Sequence, residues 1–173
     1  MTDHISREIF SGHGWKIFME TSDMPNGRTK TSARVHRCDS VHIIAMPTAK
    51  TVLMNKEYRP HFRTHLWMLP SGKVDKEMDH KQAALRELQE ETGKAARELS
   101  HYCTVRHSEN LVMNNHVYVA RDLYSDPLPQ DKDEMIEVFE LPFEEALQNV
   151  LSSPHVHMAS AFALLRYMRE HGL

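Results

Sequence analysis

The stretch Gly72–Lys94, GKVDKEMDHKQAALRELQEETGK, decides how the rest of this chain is read. Its second half has the marks of a helix. Asp79 is a suitable N-cap, with Gln82 three positions on as in a capping box. Ala84, Leu85 and Leu88 form an apolar stripe at helical spacing, and Gly93 supplies a left-handed stop. On such a helix Glu87, Glu90 and Glu91, at i, i+3 and i+4, share one face. Crowded carboxylates repel one another and weaken an isolated helix. An ordinary solvated face would interleave them with Lys or Arg, yet Arg86 is the nearest basic residue, and Lys94 and Arg97 lie past the glycine. A hard divalent cation resolves the repulsion. Mg²⁺ takes oxygen ligands and keeps several waters, so it suits a few carboxylates plus substrate phosphates. The turn before the helix, Pro70-Ser71-Gly72, can add a backbone carbonyl.

Working outward, the residues before the helix read as strands. Trp15, Ile17 and Met19 alternate with Lys16, Phe18 and Glu20, Pro25-Asn26-Gly27 supplies a turn, and Thr29–His36 returns, so residues 12–37 read as an N-terminal β-hairpin. Val41–Met46 and Thr51–Tyr58 are β-type runs, and Leu66–Leu69 is a short apolar run into the Pro-Ser-Gly turn. After the helix, His101–His107 and His116–Leu123 are β-like and Ser125–Asp133 is an acidic, proline-containing loop. Met135–Leu141 is a strand, Pro142 opens a helix through Leu151, and Met158–Glu170 is a last helix stopped by Gly172. Strands mixed with a few helices point to an α/β or α+β sandwich.

Composition narrows the function. The 173 residues suit one domain, 1–173. With 21 basic and 24 acidic residues the net charge is -3, which does not suggest a general nucleic-acid binder. The 2 cysteines, Cys38 and Cys103, form no CxxC pair, so a reduced, cytoplasmic protein is expected. The first residues are polar and broken by charge, unlike a signal peptide, and no apolar run approaches membrane-spanning length. The 13 histidines are scattered. His155-Val156-His157 looks like a metal pair but has no third ligand nearby in sequence and is read as loop.

The central stretch resembles the Nudix box: a Gly, five residues, Glu, seven residues, then Arg-Glu-aliphatic-x-Glu-Glu-x-Gly-aliphatic. Gly72, Arg86, Glu87, Leu88, Glu90, Glu91 and Gly93 all fall in register. Two positions depart: Met78 stands at the box's first glutamate, one residue after Glu77, and Lys94 stands at its last aliphatic position. In the family that first glutamate helps hold the loop, partly through the box arginine, here Arg86. Outside the box, residues 12–152 are similar to ADP-ribose and related nucleoside-diphosphate-sugar pyrophosphatases. Met68 departs again, where many of those enzymes carry glutamate two residues before the proline.

The resemblance implies a Nudix α/β/α sandwich with a mixed β-sheet, and a Mg²⁺-dependent (or Mn²⁺-dependent) hydrolase that cleaves the diphosphate of a small nucleotide substrate. It implies Glu87 and Glu91 as principal metal ligands, Glu90 as a further ligand or one acting through water, and the Ser71 carbonyl completing the set. Arg86 and Glu90 belong to the catalytic group. Glu134, on the acidic loop, is the expected base, with Asp133 and Asp131 behind it. Arg59 is placed to grip the diphosphate. The resembled enzymes pack an N-terminal β-region between subunits, so a homodimer through residues 12–37 is expected. The box leaves other substrates open, among them nucleoside triphosphates and dinucleoside polyphosphates. It also leaves open a nucleotide-binding domain without turnover. An RNA-processing reading would need a basic stripe, for which only the neighbourhood of Arg28, Lys30, Arg34 and Arg37 offers charge.

Overall fold

A computed structural model describes residues 5–74 and 78–173. The chain runs β1 (Ile5–Gly12), β2 (Trp15–Asp23), β3 (Thr29–Arg37), β4 (Ser40–Ala45), β5 (Thr51–Arg59), β6 (Thr64–Met68) and β7 (Ser71–Lys73) into α1 (His80–Thr92). It continues through β8 (Lys94–Arg106), β9 (Leu111–Val112), β10 (Asn114–Ser125), β11 (Ile136–Pro142), α2 (Phe143–Ser152) and α3 (Met158–His171). The central sheet, ordered β7-β4-β10-β8, is mixed: β4 and β10 run parallel, and the other neighbours antiparallel. A second sheet is ordered β11-β5-β6, and the N-terminal sheet β1-β2-β3-β9.

Strand alternation makes this a sandwich. On β4, Val41, Ile43 and Ala45 point to one face, where they pack with Ala83, Ala84 and Leu88 of α1. Ile44 and Met46 point to the other, into a cluster with Phe143, Ala146 and Val150 of α2 and Leu164 and Tyr167 of α3. β10 divides its residues the same way, Tyr118 and Ala120 toward α1, Val117 and Val119 toward α3. Each of these large side chains is worth ~1.5–3 kcal/mol of burial, so both helical layers are pinned to one sheet.

α1 has the caps its sequence specifies. Asp79 accepts from the backbone N–H groups of Lys81 and Gln82, both at 2.8 Å, while the Gln82 side chain accepts from the Asp79 N–H. Gly93 closes the helix at φ 67°, in the left-handed region. Three boundaries differ from the sequence reading. Pro142 ends β11 and stands before the first turn of α2, with extended ψ of 148°, instead of lying inside that turn. β8 begins at Lys94, directly after the glycine, and not at His101. Residues 12–37 hold the β2–β3 pairing, but β1 precedes it as a further antiparallel strand and β9 joins β3 from the far side. Glu77, one residue before the position of the missing box glutamate, lies outside the described residues. Met78 packs its side chain against the apolar cluster under α1.

Candidate active site

The end of α1 meets β7 at Ser71–Gly72, which the sequence reading took for a turn and which pairs with Val41 and His42 of β4. Glu91 is buried, and its carboxylate accepts from the Ser71 N–H at 2.7 Å and from Asn55 Nδ2 at 2.9 Å. The Glu87 carboxylate lies over Gly72 so closely that a Cβ built there would sit 1.9 Å from its Oε1. The glycine of the box is therefore required by a carboxylate, since Gly72 itself has no positive φ among the strained positions. Glu90 points to the more open side of the helix, where Arg86 Nε bonds it at 2.9 Å.

β5 supplies the opposite wall. Asn55, Glu57 and Arg59 alternate onto one strand face. Glu57 is buried at 5 % exposure and bonded by Arg59 Nη2 at 2.9 Å. The same Arg59 nitrogen lies 3.2 Å from the sulfur of the buried Met68. Glu134 sits exposed on the loop before β11, where its N–H donates to the Asp131 carbonyl.

Electrostatics ties these groups together. Burial pushes the Glu91 carboxyl well above its ordinary value; the Ser71 N–H opposes this, and Glu87, Glu134 and Glu57 add to it. Glu57 is raised first by burial and then by Glu134, with Arg59 acting against them. Glu134 is raised by loss of water around it, then by Asp131 and Glu90, with Arg59 and Lys73 opposing. The geometry thus sets Glu87 and Glu91 against Ser71–Gly72 at the start of β7 and Glu57 with Arg59 on β5, has Glu134 within electrostatic reach of Glu57 and Glu91, and leaves Glu90 with its partner Arg86 at the rim. Sequence reading missed Asn55 and Glu57. The available signal was the polar alternation Asn55, Glu57, Arg59 directly after the apolar run Val52–Met54, although the sequence does not announce that the first two are buried, which is the informative exception.

Trp67 packs on Phe139 at the edge of the core, whereas the exposed Phe62 stacks on His155 with ring centroids 4.0 Å apart. His157 is the N-cap residue of α3 and bonds Ser160 at 2.8 Å, so it and His155 face different partners.

Among the described residues, no three His, Cys, Asp or Glu side chains converge at ligating distance. The donor set nevertheless fits a hard cation. It is all oxygen, it is crowded with like charge, and the buried Asn55 Oδ1 beside Glu91 has no hydrogen-bond partner among the described residues. Carboxylates that repel one another stand apart until a cation draws them in.

The sequence profile described as NUDIX domain matches residues 36–162. An ADP-ribose pyrophosphatase of Bacillus subtilis (strain 168) is 29% identical over 91% of this chain and 86% of its own length. A methanol dehydrogenase activator of Bacillus methanolicus is 30% identical over 84% of this chain and 80% of its own. A solved structure of an ADP compounds hydrolase superposes with a TM-score of 0.77 at 20% identity, covering 97% of this chain and 94% of that one. That last likeness speaks for the fold.

Proposed function

The chain belongs to the NUDIX family, and from that premise we propose that it hydrolyses the diphosphate of a nucleoside-diphosphate-linked substrate, ADP-ribose foremost. The observation that carries this reading is the seating of Glu87 and Glu91 on Ser71–Gly72, with Arg59 paired to Glu57 and with Glu57 and Glu134 within electrostatic reach of Glu91. The 29% identity to an ADP-ribose pyrophosphatase supports the choice of substrate.

Glu87, Glu91, Glu90 and the Ser71 carbonyl would hold Mg²⁺, with Mn²⁺ a substitute. That cation supplies charge neutralisation and polarises a phosphoryl oxygen. The chain's own groups do the rest. Arg59 has a fixed fork, steadied by Glu57, that matches the diphosphate oxygens. Glu134 takes the proton of the attacking water; its raised pKa brings it nearer the range useful to a base at neutral pH. Arg86 holds Glu90 in place through an i, i+4 pair. Water adds to one phosphorus, the bridging oxygen leaves with the other phosphate, and ADP-ribose gives AMP and ribose 5-phosphate. Catalysis here is positioning and charge compensation.

The N-terminal sheet supports a homodimer. Ile5, Ile9, Phe10 and Trp15 are exposed. Isolated sheets need an apolar face covered to be stable. The free thiols Cys38 and Cys103 support a reducing, cytoplasmic setting.

The test is product analysis over ADP-ribose, GDP-mannose, NADH, a diadenosine polyphosphate and nucleoside triphosphates, with Mg²⁺ or with chelator. AMP and ribose 5-phosphate from ADP-ribose, at a higher kcat/KM than any other compound gives, is the expected result. Preference for a triphosphate would overturn the substrate. Binding without turnover of any compound would overturn the enzyme.

A further inference from the structure

We infer that β5 supplies a second set of cation ligands, the Asn55 side-chain oxygen and the Glu57 carboxylate, so that the cation site straddles α1 and β5; this rests on the hydrolase reading above. Asn55 is fully buried. Its amide nitrogen is committed to Glu91 Oε2 at 2.9 Å, which turns the other end of the same amide away from that oxygen. That end, Oδ1, has no donor among the described residues. A buried acceptor left unmatched costs about 1–3 kcal/mol, and native strands seldom keep one without use. An oxygen that accepts from nothing, beside a buried carboxylate, is the chemistry a hard cation recognises.

Glu57 stands two residues on, on the same strand face, and is nearly as buried. Arg59 engages its Oε2. One arginine does not balance the neighbourhood. Among the described residues Glu57, Glu87, Glu90, Glu91 and Glu134 are set against Arg59 and Arg86, with Lys73 at the margin, and Arg86 bonds Glu90. A buried carboxylate without sufficient opposite charge is strongly unfavourable. Were the task of Glu57 only to steady Arg59, an exposed pair at the strand end would serve equally. Its burial within electrostatic reach of Glu91 gives it a second partner, a divalent cation approaching from Ser71–Gly72 at the start of β7.

The experiment is a Mn²⁺ titration of the full chain without nucleotide, following free Mn²⁺ by electron paramagnetic resonance. Glu57→Gln, Asn55→Asp and Glu91→Gln are compared with wild type, and melting in chelator checks that each is folded. Glu57→Gln is expected to raise the Mn²⁺ Kd at least tenfold. Asn55→Asp, which adds charge at the orphaned oxygen, is expected to lower it severalfold. If Glu57→Gln does not fold, Asn55→Asp decides: tighter binding supports the inference, and unchanged or weaker binding overturns it. If Glu91→Gln loses Mn²⁺ while the β5 variants bind like wild type, the inference falls and the hydrolase reading stands. If wild type itself binds no Mn²⁺, both fall.

Discussion

At Gly72 the space for a side chain is already filled by the Glu87 carboxylate. The obstructing atoms are the far end of a flexible side chain, so an added methyl can be accommodated by swinging Glu87 aside. The fold loses little by that movement, and the proposed cation site loses a ligand. Gly72→Ala is therefore expected to shift the urea stability by no more than about 1 kcal/mol and to lower kcat at least tenfold, about 1.4 kcal/mol of barrier. Paired urea and turnover measurements check it. Full activity would show that Glu87 is not needed where it stands. Met78 illustrates the converse at the same scale. A family carboxylate is absent, and a methionine packs under α1 in its place, a contact that a motif comparison reads only as a departure.

At the scale of elements, α1 was legible to its caps, because Asp79, Gln82 and Gly93 each leave a local chemical signature. β8 was not. Its first half, Lys94-Ala95-Ala96-Arg97-Glu98-Leu99, is composed of good helix formers, and sheet pairing with Ser125 back to Glu98's partner Arg121 overrides that propensity. The site divides the same way. Residues on α1 follow from spacing, whereas Asn55 and Glu57 join it only through the pairing of β5 with β6 and β11, which no local pattern announces. The strands also bury titratable groups that the helices cover. His42 on β4 is pushed from 6.5 to about 4 by burial, against its bond to Asn115. His157, before α3, falls from 6.5 to about 3, by burial and then by His42, Arg59 and His107. Both folded values lie below the unfolded one, so an unfolded chain takes up protons that the folded chain refuses. Their stabilisation is complete above pH 6.5 and is lost as pH falls toward about 4, at roughly 1.4 kcal/mol per pH unit for each group. Urea midpoints between pH 7 and pH 4.5 should fall accordingly, and His42→Gln should remove about one proton from the slope. An unchanged slope in that variant would contradict the assignment of His42.

At the scale of the whole molecule, the sandwich of residues 40–171 has two apolar clusters of its own, but the β1-β2-β3 ribbon shares contacts with the rest chiefly through β9. Its Ile9 and Phe10 remain about half exposed, at 50% and 47%. Sedimentation is expected to give twice the mass of one chain, and Ile9→Asp with Phe10→Asp to give one. A wild-type monomer at micromolar concentration would end the dimer proposal. The sandwich itself was legible from strand alternation, while the weak seating of the ribbon was not, because it concerns surfaces that the chain leaves unused. The central claim, that the carboxylates of α1 make this NUDIX protein a cation-dependent diphosphate hydrolase, is tested most directly by ADP-ribose cleavage with Mg²⁺ in wild type and Glu91→Gln. The account predicts turnover that chelator abolishes and that the variant lowers by at least a thousandfold, ~4 kcal/mol of barrier, while it stays folded. Equal turnover by the two proteins, or turnover indifferent to Mg²⁺, would contradict it.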